Sequence, residues 1–222
     1  MGTPGDAAFQ TDVVVAALRL LELDDTPVLH DYPVDVDPGE EVSLTGLSCP
    51  VKSRNEAPEQ TDEERLVAAV ALEIQRLRPW YDIAVKQQQR KSLGVIGLEP
   101  EDLATFIAMF LSSDRPPNPR PDLPLIHTLK LAVDDLHAYY RAAALAQPGP
   151  SPTVHGIASW FWGDTAAGLL IHEVKRAILQ RGNPAEAAVA YLLFVPLEHA
   201  NNEVDLQGIG SNFAALLESR EL

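Results

Sequence analysis

TDEERLVAAVALEIQRLRPWYD, residues 61–82, decides the fold. Its first four residues form a capping box, in which the Thr61 hydroxyl accepts from the Glu64 amide and the Glu64 carboxylate reaches back to the Thr61 amide. From there, at about 100° per residue, Leu66, Val67, Val70, Ile74, Leu77 and Tyr81 share one face. A helix patterned in this way packs that face against a core. Pro79 removes a backbone donor and is expected to kink or end the helix near Arg78, after which WYDIAVKQQQRK continues as helix to about Gln89.

The chain on the C-terminal side repeats the signal. EPEDLATFIAMFL (99–111) opens with Pro100 in the first turn among acidic residues and predicts a third helix. SSDRPPNPRPDLP (112–124) has five prolines and no periodicity, so it reads as an extended surface connection. A fourth helix is expected from Leu125 to about Ala146, and a fifth from about Val154 to Gln180. A sixth opens at NPAEAAVAYLLFV, with Asn183 as cap and Pro184 first, and a short last one lies in SNFAALLESREL (211–222). Residues 187–197 are apolar on every side, which marks the sixth helix as the expected centre of the bundle.

On the N-terminal side, AAFQTDVVVAALRLLEL (7–23) reads as a first helix capped by Asp6. VLHDYPVDV (28–36) and EVSLTGL (41–47) then alternate as strands do around the turn DPGE, and Pro33 confines any small β-hairpin there to an edge. SCPVKSRNEAPEQ (48–60) is a linker or arm. The expectation is an all-α bundle of about six helices over residues 61–222. Residues 1–60 precede it as an acidic helix with a partly extended or hairpin arm.

Charge changes along the chain near the same point, the first turn of the helix at Thr61 included on the acidic side. The net charge is −15; residues 1–64 hold 15 acidic and 3 basic side chains, and residues 65–222 hold 17 and 14. A field of that sign repels nucleic-acid phosphates and anionic lipid and favours basic partners or cations. Its plainer use is solubility. The single Cys49 excludes an internal disulfide and a cysteine-based zinc module, which together with a start lacking a signal-peptide pattern points to a cytoplasmic location. The longest apolar run, 187–197, is about half of what a membrane span needs.

No nucleophile elbow, phosphate loop or HExxH motif is present, and DVDPGEE departs from a calcium loop at Pro38 and Gly39. A di-metal carboxylate bundle requires ExxH pairs, and the chain has only the DxxH of DDLH. His127, Asp134 and His137 have ligand spacing on the fourth helix but share their side with Lys130 and Arg141, a solvated face. Asp164 borders the apolar stripe of the fifth helix, where it serves chemistry or pairs with Arg76 or Arg78.

FVPLEHANNEVD (194–205) is the other candidate. Pro196 is expected to bend the central helix, so that Glu198 and His199 emerge at a bent and wet point with Glu203 one turn beyond. Two readings of function follow. In the first, the chain is a non-catalytic helical accessory protein whose acidic N-terminal segment contacts a protein partner or a second copy. In the second, it is a helical enzyme or a small-ligand or metal-binding protein. Glu198, His199 and Asp164 are then the catalytic groups, or Glu198, His199 and Glu203 the metal ligands. The sequence names no cofactor and gives Cys49 no role.

Overall fold

The computed structural model describes residues 6–23, 29–34, 44, 61–89, 93–112 and 115–200. They form α1 (Ala7–Arg19), α2 (Asp62–Gln88), α3 (Pro100–Ala108), α4 (Leu125–Leu145), α5 (Val154–Asp164), α6 (Ala166–Gln180) and α7 (Pro184–Leu193), with single 3-10 turns at Leu20–Glu22 and Leu197–His199. No strand occurs among the described residues, and the fold is an all-α helical bundle. The described part of the first alternating stretch, 29–34, is not strand; the rest of that hairpin, Cys49 and the helix expected at 211–222 lie outside the described residues.

The capping box of α2 forms as its sequence requires: Glu64 N donates to Thr61 Oγ1 at 3.2 Å and Thr61 N to Glu64 Oε2 at 2.9 Å. Val70, Ile74, Leu77 and Tyr81 are buried, with Leu66 and Val67 half-buried ahead of them. The helix runs unbroken through Pro79. Pro79 and Gln75 are both exposed, so the carbonyl left without its donor is on the watered side.

The centre of the bundle is α4. It packs against α2, α3, α5 and α7, and it buries Leu129, Ala132, Val133, Leu136, Tyr139 and Tyr140. Each large side chain of this kind contributes roughly 1.5–3 kcal/mol of burial. The expectation that the sixth helix is central is corrected here: α7 buries Ala190 alone and leaves Leu192 and Leu193 exposed. Its small alanines cannot fill a core, whereas α4 combines aromatic and branched side chains on one side with alanines where neighbours approach closely.

The single fifth helix is also corrected. It is two helices, broken at Thr165, whose backbone is extended. The Thr165 hydroxyl donates to the Phe161 carbonyl at 2.6 Å and accepts from Gly168 N at 2.9 Å, ending one helix and capping the next. The corner closes only around glycine, because a Cβ at Gly168 meets Phe161 O at 2.1 Å.

The N-terminal helix stands apart from this packing. Asp6 caps it by accepting from Phe9 N at 3.0 Å, yet α1 contains no buried residue. Phe9, Val13, Ala16 and Leu20 line a half-covered face, where the Phe9 ring meets Tyr32 edge-on at 5.8 Å. Leu44, further along the arm, is buried in the apolar core.

Candidate functional site

The sequence-predicted residues divide in two. α7 ends at Leu193, Phe194 and Val195 turn into the core, and Pro196 opens the 3-10 turn. Pro196 therefore follows a helix that has already ended and bends nothing. His199 is largely covered while Glu198 is exposed, with Nε2 and Oε1 3.5 Å apart. The buried His199 Nε2 has no hydrogen-bond partner among the described residues. The His155 ring, from the first turn of α5, lies 6.5 Å from that of His199.

Asp164 occupies the opposite end of α5 and is exposed. Nine residues separate it from His155, a rise of about 13 Å, so it is not brought to Glu198 and His199. Arg78, one of its expected partners, instead pairs with Glu101 and Glu99. Glu203 lies outside the described residues, and no set of three or more metal-ligating side chains occurs among them. On α4, Asp134 pairs with Lys130, His127 is exposed, and His137 packs on Phe161 at 4.5 Å and Trp162 at 5.5 Å. Burial, reinforced by the Arg141 charge, pushes the His137 pKa down to about 4.

The polar groups held deepest are others. Glu73, 2 % exposed, lies in the apolar stripe of α2. It accepts from Ala166 N at 2.8 Å and Ala167 N at 3.3 Å, the first turn of α6, and from Tyr140 Oη of α4 at 2.8 Å. One carboxylate thus joins three helices and answers two open amides at a helix N-terminus. Burial raises its pKa, against those hydrogen bonds, and the same burial and the adjacent carboxylate hold the Tyr140 hydroxyl well above its ordinary range. Nearby, Tyr139 Oη donates to the Ile74 carbonyl at 2.7 Å.

Asp135, also 2 % exposed, accepts from Ile96 N at 3.1 Å and Gly94 N at 3.4 Å. From the other side Arg120 Nη1 donates to the Val95 carbonyl at 2.8 Å, while Arg120 itself is held by Asp122. Residues 94–96 of the loop before α3 are thus fixed from both sides. With α2 that loop walls a cleft of about 230 Å³ lined by Arg78, Tyr81, Asp82, Val85, Leu98 and Glu99, among others.

On the wheel of α2, Glu73 borders the apolar stripe beside Leu66 and Val70, and a carboxylate there calls for a buried partner. Asp135 borders the stripe of α4 in the same way, beside Tyr139 and Ala132. The cleft has no such signal, since neither periodicity nor a cap marks how residues 93–99 fold back onto α2. Comparison with protein-family models, with curated proteins and with solved structures finds no match. The class defined by fold and sites is an all-α bundle with a buried carboxylate joining three helices and an outlying N-terminal helix.

Proposed function

We propose that the protein is a non-catalytic interaction module whose N-terminal segment docks on a partner protein. The observation behind this reading is the outer face of α1. Val14, Leu18 and Leu21 follow at helical spacing and are 45 %, 57 % and 81 % exposed, on a helix that buries nothing on its own bundle. They lie on a different side from Phe9, Val13, Ala16 and Leu20, so α1 is apolar on two faces. A water-facing helix keeps one side polar; a second apolar side is complementary to an apolar groove.

Charge narrows the partner. Residues 1–64 carry 15 acidic and 3 basic side chains, so a groove rimmed by lysine and arginine on another protein is the complementary surface. The test uses the full chain, immobilised, beside its L18D/L21D variant. Both positions are exposed, so the bundle is left intact. A stoichiometric partner retained by the native chain, released by salt, and bound at least about tenfold more weakly by the variant is the expected result, since burial of one leucine is worth that much. Equal retention by both chains overturns the reading, and a concentration-dependent dimer lost in the variant identifies the groove as that of a second copy.

A further inference from the structure

We infer that the Lys175 amine, at the packed seam between α6 and α7, is a site of covalent capture for small uncharged aldehydes. This is independent of the docking of α1. Lys175 is 6 % exposed, and Ile171 and Ile178, one turn before and one turn after it on α6, are buried. Its Nζ lies over the ring of Tyr191 on α7, 5.2 Å from the centroid. A lysine at the edge of a core ordinarily snorkels, so that the stem is covered while the charged head reaches water or a carboxylate. Lys175 departs from that pattern: among the described residues it takes part in no ion pair and no hydrogen bond.

The consequence is a shift towards the reactive form. No carboxylate offsets the burial of Lys175, and that burial lowers its pKa. The His172 imidazole, which feels the Lys175 charge, is itself pushed towards its neutral form by burial. A cation over one aromatic face gains far less than the burial of an unpaired ion costs, so the balance moves towards the neutral amine, whose lone pair is the nucleophile. The nitrogen is also reachable. Nζ is not among the fully enclosed side-chain atoms that lack a hydrogen bond, so with no hydrogen bond of its own it keeps an edge open to solvent. An edge that narrow admits a few heavy atoms, and its rim of Ile171, Ile178 and Tyr191 disfavours a charged ligand. The step balances without a further reactant. The lone pair attacks the aldehyde carbon, both amine protons pass to the carbonyl oxygen, and the C–O bond breaks with release of water, leaving a C=N bond to Lys175.

The experiment treats the full chain at about pH 7.5 with substoichiometric propanal and cyanoborohydride, which fixes each imine as a secondary amine by hydride addition. Peptide mass spectrometry then reads the label at each lysine. Lys86, exposed on α2, is the reference, and the chain unfolded in urea is the control. Labelling of Lys175 at least about threefold faster than Lys86 in the folded chain, falling to parity in urea, is the expected result. Labelling of Lys175 no faster than Lys86, or a preference that persists in urea, overturns the inference.

Discussion

Replacing Glu73 with leucine separates a structural joint from an incidental contact. The substitution keeps the volume roughly constant but strands three buried donors, Ala166 N, Ala167 N and Tyr140 Oη. Each stranded donor costs about 1–3 kcal/mol, roughly 3–9 in sum. Against this stand about 1.5–3 kcal/mol for the new apolar burial and relief of the carboxylate's own desolvation, which is the main cause of its raised pKa. The balance runs from near zero to roughly 7 kcal/mol, with about 3 kcal/mol at mid-range, read as a lower urea midpoint at unchanged slope. The E73L/Y140F double variant removes one stranded donor and recovers about 1–3 kcal/mol of that loss. No recovery in the double variant would refute the claim that this carboxylate joins the three helices.

The same joint has a pH signature. Because the folded pKa of Glu73 is raised above 4.5, its favourable contribution is complete below that value and declines as pH rises through the folded pKa, so the stability difference between native chain and E73Q falls over that window. His137 works in the opposite sense. Its folded pKa of about 4 lies below the ordinary 6.5, so acidification from 6.5 towards 4 removes about 3 kcal/mol, a loss absent from H137F and visible as an imidazole that stays neutral at pH 5.5 by NMR. Gly168→Ala places a methyl 2.1 Å from a backbone oxygen and lowers stability by at least about 2 kcal/mol despite the better helix propensity of alanine, as a thermal melt will read. Asp135→Ala frees the Gly94 and Ile96 amides, so their hydrogen exchange accelerates while that of α4 changes far less.

What the sequence disclosed follows from how local each signal is. The cap and apolar face of α2 are short-range features, and they appear as read. Pro79 was over-read because a proline on the watered side of a long packed helix costs little. The Thr165 corner hid inside a continuous helical periodicity. Thr-x-x-Gly is its local mark, and the reason for the glycine is the Phe161 carbonyl, four residues before the cap. α7 misled because uniform apolarity marks either a core helix or one with an outer contact, and periodicity does not distinguish them. Asp164 and His199 are grouped by the sequence only as candidate catalytic residues; the opposite ends of α5 keep them apart.

The most direct test of the interaction reading places a photo-crosslinking amino acid at position 18 of the full chain, on the exposed stripe of α1, and compares it with the same group at Leu145, an exposed apolar position on α4. Crosslinking from position 18 to one protein, suppressed by L21D and by salt and absent from position 145, is the outcome that the two-faced helix of the acidic N-terminal segment leads to. Equal crosslinking from both positions, or none from position 18 where the native chain still holds a partner, would contradict it.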